Sequence, residues 1–321
     1  METVACNLCG STRQTLIYRM PDRLFFHDEF FSVVACDQCG FGFVNPRPTP
    51  SETARHYPAA YFESAATASR DRYFQRRYAA EAAYLKTMEK PGIQPFLLDV
   101  GCAGGDFPRF MAARGWRVEG VEVSESAGSI HDFPIYRQEF QNIPVTTPTY
   151  DAVTAWAVIE HVHDPMAYFR KAAQVLKPGG LFVFLVTNFE SVASRHLFVE
   201  DVPRHLNFFT RSVVRQYLDR VGLSFVREDN GRSIYKMAPV HWLPYQIQAR
   251  LRRRPFTYAD VPLTKREYLR AHQLPRGWRA SLRYFAYSPA SVIERLFFPV
   301  IETIQILRKT YGISTYVARK R

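Results

Sequence analysis

The chain of 321 residues has no apolar run approaching the roughly 20 residues that a membrane-spanning helix needs. Its sequence contains no internal repeat or low-complexity tract and only five cysteines, and we expect no signal peptide. These absences argue against integral-membrane, fibrous and repeat architectures. Because the chain has few cysteines and no expected export signal, we expect a cytoplasmic protein. Its length allows one α/β domain of the size of an enzyme core, with smaller additional segments.

Acidic residues are scarce in the last part of the chain. Residues 231–321 hold 18 Lys and Arg against 4 Asp and Glu, whereas residues 1–230 hold 24 and 26. The formal net charge of +12 therefore arises entirely from the C-terminal region.

The dinucleotide fingerprint G-x-G-x-x-G is also missing, yet a related layout is present. Residues 96–100 read as a buried parallel strand that runs into Gly101-Cys102-Ala103-Gly104-Gly105. A helix is predicted over residues 106–114 and a second strand over 116–121, with Glu122 at its carboxyl end. A strand, a glycine loop, a helix, a strand and an acidic residue are typical of a nucleoside site, in which the carboxylate can accept two ribose hydroxyls.

Further strands alternate with helices downstream. Asp164 and Thr210 are typical helix N-caps, and Pro165 suits a first helical position. This alternation implies right-handed crossovers and a parallel sheet. The predicted strands cover residues 135–138, 150–157, 181–186, 223–227 and 313–318.

The glycine loop, together with the strings EHV-x-DP (160–165) and LKPGG (176–180), resembles motifs of the class I S-adenosylmethionine (SAM)-dependent methyltransferases. The resemblance implies an α/β, doubly wound, Rossmann-like seven-stranded sheet with an antiparallel last strand. Many members have glycine where this chain has Ala103. We expect the extra methyl group to tighten the loop without abolishing SAM binding.

The resemblance also implies which residues hold SAM. Glu122 would bind the ribose and Val123 one adenine face, while Asp99 would order the loop or contact the amino-acid portion through water. Trp156 would line the methyl-transfer channel, unless it is simply a core residue. The full set of expected SAM-binding residues is Asp99, Gly101, Cys102, Gly105, Glu122, Val123, Glu139, Phe140 and Trp156. Glu139 and Phe140 are assigned to the adenine amine and ring, and Cys102 is expected to fill space.

Two CxxCG knuckles lie at the amino terminus. Paired thiolates at this spacing predict a tetrahedral, structural Zn²⁺ site with no open position, formed by Cys6, Cys9, Cys36 and Cys39. The alternative is a pair of disulfides, which a reducing cytoplasm disfavours. A unit of about 45 residues has too small a core to fold alone, so the metal would supply folding energy.

The string from Cys36 through Pro48 to Tyr61-Phe62 resembles a subset of bacterial class I methyltransferases that carry an N-terminal zinc ribbon. Many of these modify sugars or other small metabolites. The predicted organisation is a zinc ribbon (1–48), a linker with a capping helix (49–92), a SAM-binding core (93–230), a basic aromatic-rich helical insert (231–310), and a last strand with a tail (311–321).

The basic insert combines Arg and Lys with many aromatic residues, and residues 291–307 show a helical apolar pattern that Pro299 is expected to kink. Three interpretations stay open. The aromatics pack on the core beneath a solvated charged face; the insert contacts an anionic membrane surface, at the inner face; or it binds nucleic acid. Arg252-Arg253-Arg254 supports the last two equally.

Methyl transfer to a poor nucleophile needs a base, and His205 and His161 are the candidates. His205 lies where acceptors approach this fold, and His161 follows the fourth strand. A supporting structural role is the alternative for each of them.

The leading functional hypothesis is methyl transfer from SAM to a small hydroxylated acceptor, such as a sugar nucleotide, a lipid-linked glycan of polysaccharide biosynthesis or a secondary metabolite. One alternative is an RNA methyltransferase that uses the basic region. The sequence after strand four, Ala155-Trp156-Ala157-Val158, lacks an Asn-Pro-Pro-Tyr tetrad and argues against nucleobase amine chemistry. A second alternative is a non-catalytic scaffold that keeps the SAM fold.

Overall fold

The computed structural model describes residues 1–23, 25, 29–58, 72–124, 132–197, 200–231, 234, 241–251, 268–269, 272–275 and 277–321. The strands are β1 (Gln14–Pro21), β2 (Phe30–Cys36), β3 (Gly42–Val44), β4 (Phe96–Val100), β5 (Arg117–Val121), β6 (Ile135–Tyr136), β7 (Tyr150–Trp156), β8 (Leu176–Thr187), β9 (Asn207–Phe208), β10 (Leu223–Asp229) and β11 (Ile313–Lys320). The α-helices are α1 (Pro50–Thr53), α2 (Arg72–Ala83), α3 (Asp106–Ala112), α4 (Pro165–Val175), α5 (Val192–His196), α6 (Arg211–Arg220), α7 (Trp242–Leu251), α8 (Trp278–Tyr287), α9 (Pro289–Leu296) and α10 (Phe298–Leu307).

Seven strands form the large sheet in the order β10-β11-β8-β7-β4-β5-β6. All neighbouring pairs are parallel except those of β11, which runs antiparallel to both β8 and β10. The doubly wound sheet with an antiparallel last strand is therefore confirmed. β4 lies near its centre and is buried on both faces, as its unbroken apolar sequence predicts.

Helix caps follow the predicted chemistry. The Asp164 carboxylate accepts from the backbone N–H of Ala167, and Pro165 is the first residue of α4. The Thr210 hydroxyl likewise accepts from the N–H of Val213 at the start of α6.

Strand β8 begins earlier than predicted. The sequence predicts this strand over residues 181–186, but β8 already starts at Leu176, which pairs with Tyr150 of β7. Pairing with a neighbouring strand supplies hydrogen bonds to this segment, and local sequence cannot report them.

The amino-terminal ribbon forms a second, four-stranded sheet in the order β1-β2-β3-β9. Its last strand, β9, comes from the segment assigned to the core, and Phe43 pairs with Asn207 there. The ribbon is thus joined to the core by backbone hydrogen bonds as well as by side chains.

Asn7, inside the first cysteine knuckle, fastens the ribbon to the core. Its amide nitrogen donates to the Asp164 carboxylate at 2.9 Å, and its amide oxygen accepts from the Met166 N–H at 2.9 Å and the Tyr217 hydroxyl at 3.0 Å. One side chain therefore joins the knuckle to the amino end of α4 and to α6.

The described parts of residues 231–310 include the helices α7 to α10, and the 291–307 pattern forms two of these helices. α9 ends at Leu296 and α10 begins at Phe298, with Pro299 in its first turn. The proline starts a new helix here because its ring fits a first turn and would clash inside a continuous one. Arg252-Arg253-Arg254 lies outside the described residues. Among the described helices, none is long and apolar enough to cross a membrane.

We predict that Asn7→Ala lowers the free energy of unfolding by about 2–3 kcal/mol, because a buried N–H and a hydroxyl lose their acceptor. Chemical denaturation measures the change. Asp37 occupies the same place in the second knuckle, and within the described part of the chain its exposed carboxylate accepts a hydrogen bond from the Thr15 hydroxyl alone, at 2.7 Å. Asp37→Ala should cost less than about 1 kcal/mol. Equal costs for the two variants would contradict the proposed role of Asn7.

Candidate SAM and acceptor site

The turn after β4 is shaped by glycines in the left-handed region. Gly101 has φ +71°, and a Cβ there would lie 2.5 Å from Cγ2 of Val158. Gly105 has φ 81° and caps α3 without a side chain. The turn is fixed to β5, because the N–H of Gly101 donates to the carbonyl of Val121 at 2.8 Å. A side chain at position 101 would therefore collide with the turn that follows β7.

Glu122 reaches across to this turn from the end of β5. One carboxylate oxygen accepts from the N–H of Ala103 at 2.9 Å, and the other accepts from the N–H of Ser124 at 2.8 Å. The side chain is buried, yet each oxygen keeps acceptor capacity for a hydroxyl. Ala103 itself has φ 46°, a conformation that glycine adopts more easily, which explains the preference for glycine there.

Asp99 is the second-to-last residue of strand β4, directly before the glycine turn. The Thr154 hydroxyl donates to its carboxyl at 2.5 Å, and burial raises the pKa of Asp99 to about 8. Cys102 is also buried, and its sulfur fills the space left by the missing side chain of Gly120. Burial raises the pKa of the Cys102 thiol, which fits the predicted space-filling role.

The remaining predicted SAM residues differ in exposure. Val123 is 59% exposed beside Glu122, as an open nucleoside face requires. Glu139 is also exposed. Phe140 is 1% exposed and packs edge-on against Tyr168, so its ring is a core side chain. The expected contact of the Phe140 ring with adenine stays a prediction.

Trp156 ends β7 and is 8% exposed. Its ring contacts Phe107 and Tyr84, which agrees with the core-packing alternative. Its indole nitrogen is buried with no hydrogen-bond partner in the structure, a feature that core packing alone does not explain.

His161 and His205, the two histidines expected near the acceptor, lie together with ring centroids 4.7 Å apart. Nδ1 of His161 lies 3.1 Å from the carbonyl of Arg204, and burial lowers the pKa of His161 to about 3. Nδ1 of His205 lies 2.6 Å from the Glu200 carboxylate. Burial alone would lower the pKa of His205, but the bond and charge of Glu200 raise it to about 9. The sequence placed both histidines at this edge without indicating that their rings touch.

The sequence did not indicate that Arg204 holds the loop before β9 in place. The Arg204 guanidinium is fully buried and pairs with Asp22 at 2.7 Å and with Asp201 at 2.5 Å. It also donates to the carbonyl of His56 at 3.0 Å. Asp22 follows β1 in the ribbon, 182 residues away in sequence, and no local pattern could reveal that partner.

The four knuckle cysteines converge as predicted. Their sulfurs all lie within 4.8 Å of one another, and the closest pairs, Cys6–Cys39 and Cys9–Cys36, are 3.4 and 3.5 Å apart. All are free thiols, so the disulfide alternative is not adopted. Zinc–sulfur bonds of about 2.3 Å in a tetrahedron place sulfurs about 3.8 Å apart, so this donor set fits Zn²⁺.

Comparison with known proteins agrees with this geometry. Residues 70–228 match the family model described as "Methyltransferase domain". The match covers about half of the chain, and the strand order of the whole seven-stranded sheet is that of the class I, SAM-dependent methyltransferase fold.

The chain is also similar to parts of two curated proteins. The chain is 37% identical over 102 residues to a ubiquinone biosynthesis O-methyltransferase of Idiomarina loihiensis, covering 29% of this chain and 42% of the relative. It is 33% identical over 129 residues to the protein of the same name from Marinobacter nauticus, covering 36% and 48%. The chain thus spans less than half the length of these two relatives.

Solved structures include a chain from the complex between the Haloferax volcanii Trm112 methyltransferase activator and a methyltransferase, 17% identical with a TM-score of 0.47, covering 80% of this chain and 96% of that one. A SAM-dependent methyltransferase of Mesorhizobium loti is 15% identical with a TM-score of 0.42, covering 75% and 98%. Scores this low add nothing to the fold assignment, which the strand order itself establishes.

We predict that Gly101→Ala destabilises the protein by about 2–4 kcal/mol and weakens SAM binding more than about tenfold, because its methyl group meets Val158 in a left-handed backbone. Ala103→Gly is the matched variant in the same turn. It should keep SAM affinity within about threefold and leave stability equal or slightly higher. Calorimetry and thermal unfolding measure both. A Gly101→Ala protein with normal SAM affinity would refute this account of the turn.

Asp99 gives a prediction about pH. Its pKa rises on folding from 3.8 to about 8, so the folded state binds the extra proton and the wild type loses stability as pH rises between those values. Asp99→Asn keeps the bond to Thr154 and cannot ionise. The melting temperature of the variant relative to wild type should therefore increase steadily from pH 5 to pH 8. A constant difference would show that Asp99 does not titrate in this interval.

Proposed function

We propose that this chain transfers a methyl group from SAM to a hydroxyl group of a small acceptor. The observation that carries the proposal is the Glu122 carboxylate, which is tied to the glycine turn through Ala103 and retains capacity for two hydroxyls. This arrangement lies at the carboxyl edge of β4 and β5, where doubly wound folds bind nucleosides. The family match over residues 70–228 supports the same chemistry.

Bound SAM would supply a methyl group already activated on a sulfonium sulfur. The protein would then contribute positioning, exclusion of water and a place for the acceptor proton. Glu122 would hold the ribose, and Asp99 with the turn would shape the amino-acid end. His161 and His205 lie on the side of the site where an acceptor enters, and Glu200 orients the His205 ring.

The names of the curated relatives favour oxygen as the methylated atom. These names refer to ubiquinone biosynthesis, so the expected role in polysaccharide biosynthesis receives no support from them. A small hydroxylated acceptor satisfies both the names and the geometry. Phenolic acceptors therefore join sugar nucleotides and lipid-linked glycans as candidates.

Two further assignments complete the proposal. Zinc bound by Cys6, Cys9, Cys36 and Cys39 would stabilise the ribbon. The helices α8 to α10 would contact an anionic membrane surface at the inner face, because they expose large apolar side chains beside Arg279, Arg283, Arg295 and Lys309. The exposed apolar residues are Trp278 (70%), Leu282 (56%), Ile293 (48%), Leu296 (75%), Phe297 (57%), Val300 (57%) and Leu307 (78%).

We predict that Glu122→Gln weakens SAM binding about 10- to 100-fold, because charge-assisted hydrogen bonds worth about 1.5–3 kcal/mol are lost. Asp219→Asn makes the same chemical change on the exposed face of α6 and should leave affinity unchanged. Isothermal titration calorimetry measures both.

Incorporation of labelled methyl groups from SAM into a panel of catechols, sugar nucleotides and RNA tests the activity itself. The proposal fails if the wild type does not bind SAM, or if label enters RNA alone.

A further inference from the structure

A cluster separate from the zinc ribbon brings together three metal-binding side chains. Glu160, His161 and His205 each offer a ligand atom, and these atoms all lie within 4.8 Å of one another. Glu160 and His161 follow β7, and His205 lies in the loop before β9. We propose that these three residues form a second metal site, for a divalent transition-metal ion.

The hydrogen bonds of the two histidines occupy Nδ1 of each ring. The carbonyl oxygen of Arg204, 3.1 Å from Nδ1 of His161, can only accept, so Nδ1 carries the hydrogen and Nε2 keeps a lone pair; the Tyr57 hydroxyl, 3.1 Å from the same Nδ1, is then a second acceptor. Nδ1 of His205 donates to the Glu200 carboxylate at 2.6 Å, and an ion bound at Nε2 would displace the proton that this nitrogen carries in the imidazolium form. Metal-binding histidines characteristically donate their other ring N–H to a carbonyl or a carboxylate. Here the partner of His161 is the carbonyl of Arg204, and the partner of His205 is the carboxylate of Glu200.

Glu160 supplies the negative ligand. Its side chain is 1% exposed, and Oε2 has no hydrogen-bond partner among the residues that the structure describes. A buried carboxylate oxygen without a partner is costly, and a bound cation would remove that cost. Together with Glu200, it places two carboxylates around a site for an ion of charge +2.

The backbone holds the three ligands in place before any ion binds. The carbonyl of Glu160 accepts from the N–H groups of Leu206 at 2.8 Å and Asn207 at 3.1 Å. The Asn207 side chain donates in turn to the carbonyls of Ile159 and Val162. The turn after β7 and the loop before β9 are therefore locked together, as a preorganised site requires.

The types of ligand atom limit which ions the site can bind. Two imidazoles and one carboxylate suit Zn²⁺, Mn²⁺, Fe²⁺ or Co²⁺, and three protein ligands leave positions open for an exchangeable oxygen ligand. The four-thiolate ribbon has no such open position and prefers Zn²⁺. The two sites therefore differ in chemistry, and metal binding at the second does not depend on methyl transfer.

Titration with Mn²⁺ of wild type that carries one Zn²⁺ per chain, held by the four thiolates, tests the site by electron paramagnetic resonance, because Mn²⁺ does not compete for thiolates bound to Zn²⁺ and the second site is then free of Zn²⁺. We expect one bound Mn²⁺ per chain. His205→Ala and Glu160→Gln should weaken this binding at least tenfold. His163→Ala, a histidine two residues from the cluster that bonds the carbonyl of Pro48, should not change it.

Crystals of the wild type soaked in Mn²⁺ give a second readout that needs no variant. An anomalous peak between the three side chains would support the proposal. Failure of the wild type to bind Mn²⁺ in solution, or a peak elsewhere only, would overturn it. SAM affinity measured on the same samples separates this outcome from failure of the proposed function.

Discussion

The Glu122 carboxylate is the contact on which the SAM site depends. It joins the end of β5 to the turn after β4 through the N–H of Ala103, and so fixes a stretch of backbone that a nucleoside can approach closely. Gly101 allows this approach because any side chain there would meet Val158. The ends of the parallel strands β4 and β5 therefore form the candidate cofactor site through a small number of contacts. The rest of the sheet keeps these two strands in register.

The ribbon contributes to the acceptor side as well as to its own stability. Asp22, just beyond β1, holds the buried guanidinium of Arg204, whose carbonyl in turn orients His161. β9 completes the ribbon sheet immediately after His205. The sequence predicts the ribbon as a separate appendage, but in the structure it packs next to the two histidines. Breaking the buried ion pair would leave an uncompensated charge, which makes this connection costly to lose.

Much of the fold followed from local pattern. The apolar run of β4, the caps at Asp164 and Thr210, and the cysteine spacing each have a short-range physical cause, so one sequence sufficed to predict them. The sequence could point to Glu122 because, in a nucleoside site of this fold, the strand, the glycine turn and the acidic residue lie within about 25 residues of one another. The early start of β8, the burial of the Phe140 ring and the separation of α9 from α10 depend on neighbours distant in sequence, and local propensity could not supply them.

The sequence by itself determined the class of sheet, the nucleoside turn and the four-thiolate cluster, because periodicity and spacing act over one or two elements. Only the tertiary structure decided what surrounds His161 and His205. Their partners, Glu160, Glu200 and the carbonyl of Arg204, take their positions from strands and loops that meet at one edge of the sheet. Desolvation and charge at such a meeting point depend on three-dimensional packing, which is why the same histidines carry pKa values shifted in opposite directions.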